Sequence, residues 1–289
     1  MIRNRRFSDI VLDALLYLWV GLFALLCVLP LYLVIVSSFT EEKAIMKNGY
    51  TLWPSAWSTE AYRLIFRGGE VLHAYQVSII TTLVGTLLSV VIMAGLAYGL
   101  ASTRMKSRHF VSLFVYFTMV FSGGLLPWYI AMTGLLKLQN SLWAIILPPL
   151  FQPFWLFVMR NFFRALPRDL LEAALIDGAG ELTILVRIVL PLSLPVLATV
   201  SLFIAVMYWN DWFTASILTN IRTLPVLIIQ MINNLTFIKV AMQHGGQFIA
   251  IPTRAIQMAT IVVAIGPIVL LYPFLQRYFV KGLTLGSIK

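Results

Sequence analysis

The sequence predicts an all-α, polytopic membrane protein with six transmembrane helices and a short helix on the cytoplasmic surface. Three observations predict it. The chain of 289 residues is 60% hydrophobic and only 11% charged, with a mean hydropathy of +0.91, whereas ordinary soluble domains carry about 25% charged residues. Its apolar residues gather into six windows without a charge, at 14–40, 77–103, 110–136, 138–159, 188–210 and 255–276. Each is long enough for the roughly 20 residues that an α-helix needs to cross about 30 Å of hydrocarbon. Finally, the basic residues concentrate in alternate segments between these windows.

In chain order, helices are expected at about 14–38, 73–101, 110–131, 141–163, 191–219 and 255–280, all within one membrane domain covering 1–289. The first follows Arg3, Arg5 and Arg6, as a signal peptide would. Its apolar run exceeds the 7–15 residues of a signal core and no small-x-small cleavage site follows cleanly, so it is read as a retained helix. In the second, Gly85, Gly95 and Gly99 have the spacing of close helix contacts, and Gly95-x-x-x-Gly99 is a GxxxG match. Glycine and proline inside the later windows do not argue against crossing, because membrane helices tolerate both.

Placing the N-terminus in the cytoplasm puts Arg3, Arg5, Arg6, Arg104, Lys106, Arg108, Arg160, Arg164, Arg168, Arg187, Arg277, Lys281 and Lys289 inside, most of the chain's 21 basic residues. The short link from Arg104 through Lys106 to Arg108 is the strongest single indicator under the positive-inside rule. Six crossings then leave both termini cytoplasmic. The net charge of +10 is accounted for by topology, not nucleic-acid binding. Outer loops fall at 41–71, 132–140 and 220–254. Trp53, Trp57 and Tyr62 in the first suit an interfacial aromatic belt, and the first and third loops are also candidates for docking an extracytoplasmic partner.

The inner segment 166–180 is unlike the other links. Pro167 suits the first position of a helix, and Asp169 and Glu172 follow at its positive end. Leu170, Leu171, Ala174 and Leu175 fall on one face, and Gly178 and Gly180 let the chain leave the helix. A helix over about 167–179 results, with Ala173, Ala174 and Gly178 leaving room for a partner. A helix resting on lipid headgroups would carry Lys and Arg on its polar face. This face carries Asp169, Glu172 and Asp177, which favours a protein partner.

The run Glu172-Ala173-Ala174, three residues, Gly178, nine residues, then Ile188-x-Leu190-Pro191 resembles the EAA motif of ABC importer permeases. The resemblance implies that this segment is the coupling helix, with Glu172, Ala173, Ala174, Asp177, Gly178 and Ala179 meeting a cleft on an ATPase subunit. The Trp209-Asn210-Asp211-Trp212-Phe213 stretch is similar to the family's helix-five pattern. The end of the chain looks like the C-terminal tail of the second permease of maltose-type importers, which implies that Gly282, Leu283, Thr284 and Gly286 reach between two ATPase subunits. The stretches 121–127 and 272–276 resemble a branch that imports complex oligosaccharides, including pieces of alginate and rhamnogalacturonan. The implied partners are a second, homologous permease in a heterodimer, two ATPase subunits, an extracytoplasmic solute-binding protein and the lipid bilayer. ATP and Mg are expected on the ATPase, with no cofactor on this chain.

Asp211 is the only acid well inside a predicted helix. A charge there costs roughly 2.5–3.5 kcal/mol on insertion scales and should face water or a partner. Two uses are open: bonding sugar hydroxyls in the pathway with Trp209, Asn210 and Trp212, or a structural hydrogen bond. Trp128, Tyr129, Trp143, Trp155 and Tyr208 are further candidates for sugar stacking, although packing and anchoring are the commoner roles of such aromatics. His73, His109 and His244 do not cluster, and Cys27 is alone. No P-loop, GxSxG or HExxH pattern occurs, so no catalysis is expected of this chain. The competing class is an ion-coupled secondary transporter of a small solute, which would need intramembrane acid or histidine relays and repeated broken helices.

Overall fold

The structure, a computed structural model, describes residues 7–67, 69–243 and 254–267. The expected tail residues Gly282, Leu283, Thr284 and Gly286, the end of the sixth expected helix beyond 267, and residues 244–253 of the third expected outer loop lie outside the described residues. In chain order the helices are α1 (Phe7–Ser38), α2 (Glu42–Asn48), α3 (Glu60–Phe66), α4 (Glu70–Ala101), α5 (Arg108–Val120), α6 (Leu125–Ile130) and α7 (Trp143–Ile146). There follow α8 (Pro153–Arg164), α9 (Arg168–Ile176), α10 (Glu181–Ile184), α11 (Leu190–Leu192), α12 (Leu194–Trp209), α13 (Phe213–Leu218) and α14 (Leu224–Gln243), then α15 (Arg254–Pro267). The all-α expectation holds: among the described residues there is no strand, only an isolated antiparallel bridge between Thr40 and Trp57.

The chain divides into two compact units, one drawn from Met1–Gly69 and Gln230–Gly266, the other centred on Glu70–Ile229. In the first, α1 is apolar around its circumference and exposes nearly every side chain from Leu12 to Ile35, as a helix facing lipid or a partner does. Burial begins at Val36. There Ser38 Oγ lies 2.7 Å from the Tyr62 hydroxyl and Phe39 stacks on Tyr62 at 4.9 Å. The backbone N–H groups of Glu41 and Ser58 donate to Ala56 and Phe39. The segment expected as an outer loop is therefore a folded cap. Its Glu42 carboxylate accepts from the N–H groups of Arg254 and Ala255, at 3.1 and 2.8 Å, which satisfies donors otherwise orphaned at the start of α15.

In the second unit α4 packs against α8 and α12 around buried Met93, Ala97, Leu156, Met159, Val200 and Ile204. At Gly85 α4 leaves room for a side chain of α12: a Cβ there would collide with the Tyr208 ring. The Tyr208 hydroxyl donates to the Ile146 carbonyl at 2.7 Å and lies 3.4 Å from Ser89 Oγ. The Gly95-x-x-x-Gly99 expectation is not met within the unit, since a Cβ at Gly95 would meet nothing and one at Gly99 only Met105 Sδ at 3.7 Å.

The expected third, fourth and fifth helices are each interrupted. The third ends at Val120. Phe121 is extended, Gly124 adopts φ +87°, and the chain resumes as α6 at 114° to α5. The left-handed φ is what a residue without Cβ permits. In the fourth, only α7 and α8 are helical, separated by 147–152 with Pro148 and Pro149; neither proline donates a backbone N–H, and each disfavours a helical conformation in the residue before it. In the fifth, α10 runs through π-helical residues Leu185–Val189 into α11, bends by 82° at Ser193, and continues as α12 to Trp209. Among the described residues two helices, Val11–Ser38 and α4, are long and apolar enough to cross a membrane alone. Counting each bent pair as one span makes up to four, beside two shorter apolar helices, Leu224–Asn233 and Arg254–Pro267, so the described residues do not by themselves confirm a count of six.

Candidate functional site

The segment singled out by its acidic face forms α9, and its end has a defined stop. The Ala179 N–H donates to the Ala174 carbonyl at 2.9 Å, and the Gly178 N–H to the Leu175 carbonyl at 3.1 Å. With Gly178 at φ +79° this is a Schellman cap, whose left-handed residue is usually glycine. Its apolar contact comes from Ala174 and Ala179, which both pack on the core of the second unit with Leu171 and Leu175.

The opposite side of α9 is uncovered in the chain. Leu170, Glu172, Ala173, Ile176, Asp177 and Gly178 are exposed, Ile176 at 86%. Leu170 had been expected on the inward face with Leu171; it projects outward, because the inward stripe follows 171, 174 and 175. The exposed surface is therefore apolar at 170, 173 and 176, one helical turn apart, with carboxylates beside it.

The chain after the cap is tied to the end of α4. The Tyr98 hydroxyl and Arg104 Nη1 both donate to the Glu181 carboxylate, the latter at 3.1 Å. Arg160 Nε donates to the Leu100 carbonyl at 3.3 Å, and Arg108 Nη1 to the Ser102 carbonyl at 3.4 Å. Sequence reasoning missed Glu181 and Tyr98 as a brace for α9. The available signal was Glu181 opening the helix after Gly178, but no spacing rule pairs residues so far apart in the chain.

The other expected site lies around residues 209–212, and it is not inside a helix. It is the break between α12 and α13. Trp209 is buried, with Tyr75 at 6.3 Å. Asn210 is exposed, and its Nδ2 donates to the Val206 carbonyl at 2.8 Å. Asp211 Oδ1 accepts from the Thr214 N–H at 3.0 Å, capping the start of α13, while Oδ2 is buried with no hydrogen-bond partner among the described residues. Trp212 is 48% exposed and meets Phe213 edge-on at 5.9 Å; Phe213 in turn lies 6.3 Å from Trp128 of α6. Asn210, Asp211 and Trp212 are thus brought together beside an aromatic cluster, and Trp209 is set apart as a packing residue.

Residues 2–285 match the family described as the binding-protein-dependent transport system inner membrane component. The chain is 39% identical to the polygalacturonan/rhamnogalacturonan transport system permease protein YtcP of Bacillus subtilis (strain 168), covering 99% of each chain. It is 36% identical to the protein LplC of the same organism, over 96% of this chain and 95% of that one. In three dimensions it resembles a chain of a bacterial ABC transporter involved in the import of the acidic polysaccharide alginate, with a TM-score of 0.83, 26% identity, and coverage of 96% and 99%. These likenesses support the importer reading and not the ion-coupled alternative. This chain belongs to the family of inner-membrane components of binding-protein-dependent transport systems, and as an ABC importer permease it is a transport subunit, not an enzyme.

Proposed function

We propose that the chain forms half of the translocation pathway for an oligosaccharide derived from an acidic polysaccharide, moved inward by alternating access. It pairs with a second, homologous permease and is served by two ATPase subunits, which hold the ATP and Mg, and by an extracytoplasmic binding protein. Both termini are cytoplasmic and the whole chain works as one transmembrane domain. The names of the relatives support the substrate class.

One observation carries the mechanism: α9 is anchored on one side and bare on the other. Its inward residues are locked into the core of α4, α8 and α12, while Leu170, Ala173 and Ile176 face outward beside Glu172 and Asp177. Such a helix is a handle. Closure of an ATPase pair on ATP would move α9, and its anchorage would pass that motion to α4 and α12. A ligand-driven change requires contacts that differ between the two states, and the uncovered face supplies them. The tail residues Gly282, Leu283, Thr284 and Gly286 reach the ATPase pair as a second contact. Asn210, Asp211 and Trp212 line the pathway, Trp212 stacking on a ring and Asp211 Oδ2, buried in the present conformation, accepting from sugar hydroxyls once alternating access uncovers it.

Cysteine crosslinking tests this reading. With Cys27 replaced by Ser, Ala173→Cys is expected to capture the nucleotide-hydrolysing subunit in the purified complex. Glu172→Lys should abolish uptake while membrane insertion stays normal. Reaction of Ala173→Cys with an impermeant thiol reagent from outside the cell, or normal uptake by Glu172→Lys, would overturn it.

A further inference from the structure

Beside α9 the second unit forms a partly open cavity of about 210 Å³ with an uneven balance of charge. Arg104, Arg108, Arg164 and Arg168 line it, against only Glu172 and Glu181. Glu181 is engaged by Arg104 and Tyr98. Among the described residues Arg108, Arg164 and Arg168 have no carboxylate within ion-pair distance. Arg160, held on the Leu100 carbonyl, adds a further cation near enough to feel Arg164 and Arg108. Guanidinium groups brought this close repel one another unless an anion lies between them.

The position of the cavity identifies the anion. It is lined by Ala101, where the membrane-crossing helix α4 stops, and by residues 102–104 of the link that follows, and Arg108 opens α5. From Arg108 outward α5 exposes Phe110, Leu113, Phe114 and Phe117, at 55–74%. An apolar strip running away from a cluster of arginines has the form of one amphiphile: acyl chains along the strip, phosphate in the cavity. Basic pockets between helices on the cytoplasmic side bind anionic headgroups, and the planar, forked guanidinium suits phosphate oxygens.

We propose that this cavity binds the phosphate of an anionic phospholipid of the inner leaflet. The lipid touches Arg168, the first residue of α9, so occupancy by lipid braces the handle that the importer reading assigns to α9. The site's cytoplasmic facing rests on that reading; lipid binding itself does not.

The test uses the importer complex purified with its partner subunits and reconstituted in nanodiscs of phosphatidylglycerol and phosphatidylcholine. Lipid retained after detergent extraction is counted by native mass spectrometry. Phosphatidylglycerol is expected on the complex, and the double substitution R164Q/R168Q is expected to lower its retention about tenfold, the equivalent of losing one charge-assisted contact. Substituting Arg222, paired with Glu70 elsewhere in the unit, should change nothing. Equal retention by R164Q/R168Q in a complex of normal mass and helix content would overturn the proposal. So would equal retention of phosphatidylcholine, or displacement of the lipid by 10 mM inorganic phosphate, which would make the cavity a site for free phosphate. Lipid loss with intact ATPase binding would leave the handle reading untouched.

Discussion

Replacing Gly178 by Ala isolates the cap of α9 from everything around it. At φ +79° an L-residue meets its own carbonyl, yet the space around a Cβ there is empty, so the substitution adds backbone strain and no collision. That strain is roughly 1–2 kcal/mol. It falls on the two bonds of the cap, from Ala179 to Ala174 and from position 178 to Leu175. If the cap opens locally, 1–2 kcal/mol raises the open fraction by about 5- to 30-fold. Hydrogen exchange of the amides at 178 and 179 should accelerate by that factor, while amides in the middle of α4 and α12 keep their protection. Two controls sharpen the reading. Gly178→Asn should recover most of the protection, since Asn tolerates the left-handed region. Gly180→Ala should do nothing, because Gly180 sits at φ −70° with free space. Unchanged exchange in Gly178→Ala, or equal acceleration by Gly180→Ala, would refute the argument that the glycine is there for its backbone. If the cap holds α9 in the pose its partner recognises, uptake should fall along the series in the same order as protection.

The packing of α4 on α12 gives a second contrast: Gly85→Ala should lower thermal stability of the detergent-solubilised protein by about 1–3 kcal/mol through overpacking on Tyr208, whereas Gly95→Ala, with nothing within 4 Å, should be neutral or slightly stabilising. Tyr208→Phe removes the donor to the Ile146 carbonyl, and leaving that buried acceptor unpaired should cost about 1–3 kcal/mol in the same melt. A double-mutant cycle on Arg104 and Glu181 should return a coupling below about 1 kcal/mol, because the two side chains are 60% and 51% exposed. Asp211→Asn should keep the Thr214 cap and the melting temperature, since Asn caps as well as Asp, yet reduce uptake if Oδ2 serves the sugar.

How much of this was legible in the sequence depends on the kind of force involved. Desolvation is a property of composition, so α1 and α4 could be read directly from runs without charge. The cap of α9 could be read as well, because Gly178 reports a local backbone demand. Direction is different. Membrane helices tolerate glycine and proline because neighbouring groups satisfy the freed backbone, so Gly124, Pro148 and Pro149 in an apolar run are compatible with both a straight helix and a reversal. What decides is which buried surface awaits the next turn, and that surface belongs to residues distant in the chain: Tyr208 on Gly85, Leu224 N–H on Ser78 Oγ at 2.8 Å. Asp211 shows the consequence. On the assumption of a continuous fifth helix it is a costly charge in mid-membrane. In the fold it lies in the break between α12 and α13, and its Oδ1 has a backbone partner, the Thr214 N–H, supplied by the break itself. Helix continuity was thus the hidden premise of the sequence reading, and the acid expected to be most anomalous marks the place where that premise fails.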